Sequence, residues 1–271
     1  MTRAFVFTGG GALGATQSGM LETLLACGLR PDLLVGTSAG ALNAAFIAHA
    51  PHVDGALDLQ AVWRTASREV IFPIKPRGLL LGATGRRDHL IDVKGLRGWV
   101  ESHLPYRSFE DAVVPLHVVA TDLRSGNPHV LSDGPVVPAL LASTALPGIF
   151  PPVVIGGRTF VDGGITADVP VLEAEGLGAD EIWILPTSGP ERLQTLPRGA
   201  LDVLLRSIGI ALGHVTQDNL AQVHEGTTVH LLPAPTVGDS SILDFRQTDR
   251  LISAGRSLAV GYLERVFSEG G

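Results

Sequence analysis

Cysteine is nearly absent from this chain of 271 residues, with Cys27 as the single example. One cysteine excludes an intrachain disulfide and any zinc site built from several cysteines. Cys27 lies on the apolar face of the first predicted helix, so we expect its thiol to pack in the core. A chain without disulfides is compatible with a cytosolic location.

Clustered positive charge is also missing. The formal net charge is -7 at pH 7, lysine occurs only at Lys75 and Lys94, and no basic run is present. Nucleic-acid binding needs Lys and Arg gathered on one surface to contact phosphates. We therefore expect no nucleic-acid partner.

Long uninterrupted apolar runs are lacking as well. The apolar stretch Ala4–Phe7 is too short for the core of a signal peptide. Residues 134–157 carry no charge, but a membrane-spanning helix would not tolerate their prolines. These are Pro135, Pro138, Pro147, Pro151 and Pro152. We expect neither a signal peptide nor a transmembrane segment, and a cytoplasmic location is the default.

Apolar residues are plentiful in shorter segments, with 45% hydrophobic and 17% charged residues overall. Such a composition supports a globular core. The first 50 residues alternate strand and helix patterns: strands at 4–7 and 32–36, helices at 12–28 and 39–50. This order predicts an α/β fold with a mostly parallel central sheet and helices on its faces. We expect a single domain over residues 1–271.

The rest of the chain continues both patterns. Further strands are predicted at 115–123, 129–132, 181–186 and 228–233, with a hairpin at 153–162 that turns at Gly156–Gly157. Further helices are predicted at 54–68, 95–103, 200–222 and 246–267. Residues 73–92 are rich in Gly, Pro and Arg, which indicates an irregular loop that is either a lid or a surface insertion.

A glycine-rich turn follows the first strand. Gly9, Gly11 and Gly14 match the GxGxxG pattern of dinucleotide-binding proteins. Those proteins place an acidic residue at the carboxyl end of the second strand, where it binds ribose. Here the acid of that strand, Asp32, lies at the amino end. The turn is therefore better suited to another negative charge.

The second strand ends in Gly36-Thr37-Ser38-Ala39-Gly40, and a helix follows. GxSxG between a strand and a helix is typical of a nucleophile elbow, which exposes the serine at a sharp turn. Loops after neighbouring parallel strands open at the same edge of the sheet, so the two glycine turns can share a pocket. Backbone N–H groups of Gly9, Gly10 and Gly11 could then stabilise an oxyanion formed by attack of Ser38.

A serine nucleophile needs a base. None of the nine histidines has a local context that marks it as the base, although His214 in a long apolar helix is the best of them. Asp162, at a strand end before Gly163 and Gly164, is a stronger candidate. On its own, however, an ordinary Asp-Gly turn is the favoured interpretation.

Three other polar residues lie near the predicted sheet edge. Asp122 and Asp168 are each interpreted as the cap of a loop or helix. Asn43, one turn beyond Ser38, could support the pocket or lie on the helix surface.

Five segments in order resemble the patatin-like phospholipase family. They are GGGALG (9–14), GTSAG (36–40), ATDLRSG (120–126), ASTALPGIFPPV (142–153) and DGG (162–164). The resemblance covers about residues 4–190, and residues 191–271 match only loosely. It implies a three-layer α/β/α fold and a Ser38–Asp162 dyad that needs no histidine. It also implies an oxyanion hole of Gly9, Gly10, Gly11 and the Ala39 N–H.

The resemblance further implies hydrolysis of lipid-like carboxylic esters without metal or cofactor, with transient contact to a membrane or micelle surface. Many family members carry Arg or Lys where this chain has Leu13, which weakens the expectation of a phospholipid substrate. Acyl transfer through the same acyl-serine is an alternative. A nucleotide-binding module that uses the GxGxxG turn is less favoured because Asp32 is misplaced. A non-catalytic interaction protein is less favoured because both dyad residues are present. The sequence does not indicate an oligomeric state.

Overall fold

A computed structural model describes residues 1–73, 87–189, 196, 199–236 and 241–269. Most of the loop predicted at 73–92 lies outside these described residues. The described chain forms one eight-stranded sheet with helices packed around it. This is the mixed α/β architecture that the alternation of strand and helix patterns predicts.

Each predicted strand and long helix has a counterpart. The strands are β1 (Arg3–Phe7), β2 (Leu33–Thr37), β3 (Leu116–Asp122), β4 (Pro128–Leu131), β5 (Val153–Ile155), β6 (Arg158–Asp162), β7 (Glu181–Leu185) and β8 (Thr228–Leu231). The first helices are α1 (Ala15–Ala26), α2 (Ala39–His49), α3 (Val53–Thr65), α4 (Arg68–Ile71) and α5 (Lys94–His103). The later ones are α6 (Val136–Ser143), α7 (Gly164–Ala167), α8 (Val171–Gly176), α9 (Ala200–Gln222) and α10 (Thr248–Glu269).

The sheet is mostly parallel. Its strand order is β5-β6-β3-β2-β1-β7-β8, and β4 also pairs with β3. Strands β3, β2, β1, β7 and β8 run parallel, whereas β4, β5 and β6 form antiparallel pairs. Because parallel neighbours all end at one edge, the loops after β1, β2 and β7 lie together there.

Two strands, β2 and β6, pair one after the other with the same edge of β3. β4 pairs with residues 118–121 of β3 and therefore occupies one edge along that whole length. On the opposite edge, β2 ends with Thr37 beside Val119, and β6 begins its pairing with Asp162 beside Ala120. Strand β6 thus continues where β2 stops, which brings the end of β6 next to the end of β2.

The central strands are apolar on both faces, as buried parallel strands are. In β1, Phe5 and Phe7 pack into the larger core cluster on one face, and Ala4 and Val6 pack into the cluster on the other. β7 alternates in the same way, with Trp183 on one side and Ile184 on the other. Helices cover both clusters, which gives three layers.

The uncharged stretch 134–157 contains a helix that we did not predict, α6. Pro138 is its third residue, and the first turn of a helix tolerates a residue without an N–H because those N–H groups have no partner within the helix. The helix ends after 8 residues. Among the described residues, no helix has both the length and the apolar character needed to cross a membrane.

The prediction for Cys27 is wrong. Helix α1 ends at Ala26, and Cys27 is the exposed residue that follows it. The apolar pattern of the helix extends one residue further than the helix itself. The Cys27 thiol therefore faces solvent and does not contribute to the core.

Helices α1 and α10 pack at unusually short distance. A methyl group at Gly19 of α1 would overlap the Ile252 carbonyl oxygen, and one at Gly255 of α10 would overlap the Thr16 carbonyl oxygen. In each helix, a glycine therefore lies directly against the backbone of the other helix. The contact attaches the last helix to the helix that follows the first glycine turn.

We expect Gly19→Ala to lower the free energy of unfolding by about 1–3 kcal/mol, because backbone atoms of α10 would have to move. Gly98→Ala is the matched control. Gly98 is exposed within α5 and has no atom within 4 Å of the added methyl, so this change should stabilise by about 0.5–1 kcal/mol. Chemical denaturation measures both, and equal effects would contradict the close helix contact.

Candidate active site

Ser38 occupies a sharp turn between β2 and α2. Its φ angle of 54° makes it the one residue other than glycine with positive φ in the described chain. Such a conformation costs on the order of 1–3 kcal/mol and persists only when the surroundings impose it. Gly40 contributes to the turn, because any side chain there would overlap the carbonyl groups of Phe7 and Thr8. The geometry matches the elbow that GxSxG predicts.

The Ser38 hydroxyl donates a hydrogen bond to the Asp162 carboxylate. The distance from Oγ to Oδ2 is 2.7 Å, and the other carboxylate oxygen accepts the Gly164 N–H at 2.8 Å. Asp162 is only 5% exposed. Within the described part of the chain, no histidine contacts the Ser38 hydroxyl, and the His214 side chain lies outside that part.

The two residues meet because of the strand pairing along β3. Thr37 is the last residue of β2 and Asp162 the last of β6, and their partners on β3 are the consecutive residues Val119 and Ala120. The backbone of Asp162 is fixed on both sides: its N–H donates to Ala145 and its carbonyl accepts the Thr121 hydroxyl. The carboxylate position follows from the sheet register.

Burial raises the pKa of Asp162 to about 7, although hydrogen bonds from Ser38 and Gly164 oppose the shift and the nearby Asp168 charge adds to it. Burial likewise raises the pKa of Asp168 to about 6. Oδ1 atoms of both aspartates lie beside Gly164, at 3.1 and 3.4 Å from the position of an added methyl. A negative charge on Asp168 thus disfavours the ionised form of Asp162, whereas the pKa of Asp168 is raised by burial.

The glycine turn lies at the same sheet edge. The Gly9 carbonyl accepts the hydroxyls of Thr8 and Thr187, and a side chain at Gly10 would collide with Thr187. In a trans peptide the N–H points opposite to the carbonyl, so the Gly10 N–H points away from Thr187. The Gly9 N–H is already used, because it donates to the Asp168 carbonyl at 3.3 Å.

Two N–H groups of the turn therefore remain for a ligand. Neither Gly10 nor Gly11 donates to another described residue. The next residue, Ala12, donates its N–H to the carbonyl of Ile242 at 2.8 Å. A segment before the last helix thus anchors the glycine turn, in a part of the chain where the sequence pattern indicated no site residue.

A buried polar network joins the glycine turn to the helix after Ser38. The Asn43 amide donates to the Gly14 carbonyl at 2.8 Å and to the Gln17 side chain at 2.6 Å. Gln17 donates to the carbonyls of Thr8 and Leu185, and Trp63 donates to Asn43. Asn43 is fully buried, so it supports the pocket and does not lie on the helix surface.

The start of α2 lies directly beside the serine. Ala39 is the first residue of this helix, and its N–H has no partner among the described residues, as is usual in a first turn. The positive end of the helix dipole points toward Ser38. Ala39 can therefore contribute to the binding of a negative charge next to the Ser38 hydroxyl.

The remaining predicted residues fall into two groups. The first is the set of motif glycines: Gly14 ends the short helix after the glycine turn, Gly36 lies in β2, Gly163 caps α7 and Gly164 is the first residue of α7. Asp122 caps a loop, since its carboxylate accepts the N–H groups of Arg124 and Ser125. Asp32 is at the opposite end of β2, where it accepts the Arg3 N–H.

Leu13 also lies apart from the pocket. Its side chain is 3% exposed and belongs to the larger core cluster. The neutral residue in the glycine turn therefore leaves the pocket without a charge at this position. At this position the turn presents backbone groups and no charged side chain.

Sequence reasoning missed three side chains around the site. Thr187 follows a core strand at the edge that carries the other site residues, so its position could have marked it as a residue of the site. Gln17 is a buried polar residue on an apolar helix face. Ser143 was visible only as part of the segment 142–153. The Ile242 carbonyl had no sequence signal, because any residue could supply a backbone carbonyl.

Residues 5–175 match the model of a family described as patatin-like phospholipase. An uncharacterized NTE family protein of Mycobacterium bovis is 28% identical over 96% of this chain and 46% of its own length. A lysophospholipase of Aspergillus terreus is 26% identical over 98% of this chain and 18% of its own length. The chain thus spans about half the length, or less, of these curated relatives.

A solved structure has the same fold. The crystal structure of VipD from Legionella pneumophila superimposes with a TM-score of 0.52 and 15% sequence identity. The match covers 97% of this chain and 67% of VipD. At this identity the likeness concerns the arrangement of strands and helices.

The raised pKa of Asp162 predicts a measurable effect on stability. Between about pH 4 and pH 7 the native state keeps this proton, whereas the unfolded chain has released it. The free energy of unfolding therefore falls as pH rises through this window, because ionisation favours the unfolded chain. Relative to wild type, Asp162→Asn should therefore gain about 2–3 kcal/mol of unfolding free energy between pH 5 and pH 8.

Urea denaturation at several pH values measures this difference. Asp122→Asn is the control, because hydrogen bonds from the Arg124 and Ser125 backbone lower the pKa of Asp122 and place its titration below this range. Its difference from wild type should stay flat. A flat difference for Asp162→Asn would show that Asp162 is not held in a desolvated environment.

Proposed function

The chain belongs to the patatin-like phospholipase family, and on that basis we propose that it is a serine hydrolase of lipid-like carboxylic esters. The observation that carries the proposal is the 2.7 Å hydrogen bond from the Ser38 hydroxyl to the buried Asp162 carboxylate. A serine becomes a useful nucleophile when a neighbouring base accepts its proton. Asp162 is that base, and Ser38 is the nucleophile.

In the first half of the reaction, Ser38 Oγ attacks the ester carbonyl carbon while Asp162 accepts the hydroxyl proton. The carbonyl oxygen becomes an oxyanion, which the N–H groups of Gly10, Gly11 and Ala39 bind. Such preorganised donors are worth about 3–4 kcal/mol each in comparable enzymes. Asp162 then returns its proton to the leaving alcohol, the bond between carbonyl carbon and alcohol oxygen breaks, and an acyl-serine remains.

In the second half, water replaces the alcohol. Asp162 accepts a proton from the water molecule, whose oxygen attacks the acyl carbon. The second tetrahedral intermediate collapses by breaking the bond to Ser38 Oγ, which recovers the proton from Asp162. The products are the carboxylic acid and free enzyme. Each half begins and ends with Asp162 in the same protonation state.

The environment of Asp162 is suited to this role. A carboxylate with an ordinary pKa near 4 is a weak base toward a hydroxyl. Burial brings the pKa of Asp162 to about 7, close to neutral operating conditions, where general bases are most effective. The same burial means that ionisation of Asp162 in the native state lowers the free energy of unfolding.

The substrate class is proposed from the family and from the site. The Aspergillus terreus relative is named a lysophospholipase, which supports an ester with a long acyl chain. In the described residues around the glycine turn, charge stabilisation comes from backbone N–H groups, and Leu13 is buried in the core. These features suit the ester carbonyl and do not favour a particular headgroup. Acyl chains of this kind are presented at membrane or micelle surfaces.

The first test is hydrolysis of p-nitrophenyl esters of increasing chain length. Wild type should cleave them, with a higher kcat/KM for longer chains. Ser38→Ala and Asp162→Asn should each lower kcat/KM on the order of 10³-fold or more, because each removes a member of the reacting pair. Ser102→Ala is the control, since among the described residues the Ser102 hydroxyl contacts just the Trp99 carbonyl and its neighbour His103 on α5. Undiminished turnover by either dyad variant would refute the proposal.

The second test is the pH dependence of kcat/KM. A general base acts only when unprotonated, so kcat/KM should rise as pH increases through about 7 and then level off. In Asp168→Asn the midpoint should move to lower pH, because the Asp168 charge contributes to the raised pKa of Asp162. A midpoint that does not move, measured with the same ester, would contradict the coupling of the two carboxyl groups.

A further inference from the structure

The carboxyl end of α6 contacts both halves of the candidate active site. The last carbonyl groups of a helix have no partner within the helix. Here two carbonyls at this end find partners beside the base: the Ser143 carbonyl accepts the Gly163 N–H at 3.2 Å, and the Ala145 carbonyl accepts the Asp162 N–H at 2.9 Å. The end of α6 therefore holds the backbone on both sides of the Asp162 α-carbon.

The Ser143 side chain makes a second set of contacts, on the nucleophile side. Its hydroxyl oxygen accepts the Ser38 backbone N–H at 2.8 Å and donates its proton to the Val119 carbonyl at 2.6 Å. Ser143 is fully buried. The Ser143 hydroxyl thus accepts one hydrogen bond and donates one.

We infer that Ser143 is a positioning residue for the proposed ester hydrolysis. Its hydroxyl holds the nucleophile backbone and its carbonyl holds the turn that follows the base, so one residue contacts the local backbone on both sides of the pair that the sheet register brings together. The inference rests on the proposed function. It adds a residue that neither contacts the substrate nor takes part in proton transfer.

The conformation of Ser38 explains why such a residue is needed. A serine with φ of 54° relaxes toward negative φ unless surrounding contacts prevent it. The bond from Ser143 is the contact that the described structure provides for the Ser38 N–H. Without the hydroxyl, the Ser38 N–H and the Val119 carbonyl both lose a partner, and rotation of the turn to recover one moves Ser38 Oγ away from Asp162.

The test is the rate at which a fluorophosphonate probe labels Ser38, followed by intact-protein mass spectrometry on the full chain. In Ser143→Ala, labelling should slow by about 10- to 100-fold, since a displacement near 1 Å has effects of that size. With a p-nitrophenyl ester, kcat should fall by a similar factor and KM should change little, because Ser143 does not touch the substrate.

Thr144→Val is the matched control. Thr144 is the next residue and also carries a buried hydroxyl, but this hydroxyl donates to carbonyls of its own helix, Leu140 at 2.7 Å and Leu141 at 3.4 Å. Its removal should leave the labelling rate at the wild-type value. Equal slowing in Thr144→Val and Ser143→Ala would mean that the end of α6 matters only for stability, and the inference would be overturned.

Ser143→Cys keeps the side chain nearly the same size and replaces the hydroxyl by a weaker hydrogen-bond acceptor. It should label at a rate between those of wild type and Ser143→Ala, and it serves alone if the alanine variant does not fold. A wild-type rate in the cysteine or the alanine variant would overturn the inference while the proposed function stands. Absence of labelling in wild type itself would instead overturn the proposed function, and the inference with it.

Discussion

The hydrogen bond between the Ser38 hydroxyl and the Asp162 carboxylate forms only if the surrounding structure holds both residues in place. It joins two residues that are 124 positions apart in the chain, at the ends of strands that continue one another along β3. A shift of one residue in either pairing would turn one side chain to the opposite face of the sheet. The relative position of Ser38 and Asp162 is thus a property of the sheet register, and the apolar residues on both faces of the central strands maintain that register.

Both members of this pair are held in states that they would not adopt alone. Ser38 has a backbone angle that a non-glycine residue avoids, and Asp162 is a carboxyl group removed from water. The opposing stabilisation comes from a rigid surround: the network of Asn43, Gln17 and Trp63 on one side, and the end of α6 on the other. The polar side chains of Asn43, Gln17 and Ser143, which lie around these two residues, are all hydrogen-bonded.

Much of the fold could be predicted from the sequence, because its strands are short apolar runs and its long helices have clear apolar periodicity. The pairing of Ser38 with Asp162 was expected for a different reason: the glycine turn at Ser38 is visible as a motif, and the family resemblance pointed to Asp162. Helix α6 was missed because Pro138 and its neighbours read as an irregular segment, although a proline in a first turn is harmless. The supporting contacts could not be predicted, because Thr187 and Ser143 act through single hydroxyl groups, and Ile242 through its backbone, across distances that no local pattern encodes.

Residues late in the chain hold the glycine turn and the helix that follows it in place. Gln17 binds the carbonyl of Leu185, Thr187 binds that of Gly9, and Ala12 donates to that of Ile242. All three contacts depend on chain beyond residue 175, where the recognisable family segment stops. The family model therefore covers less of the chain than the set of residues that hold the glycine turn in place, and residues beyond 175 are structurally integral to the earliest loop.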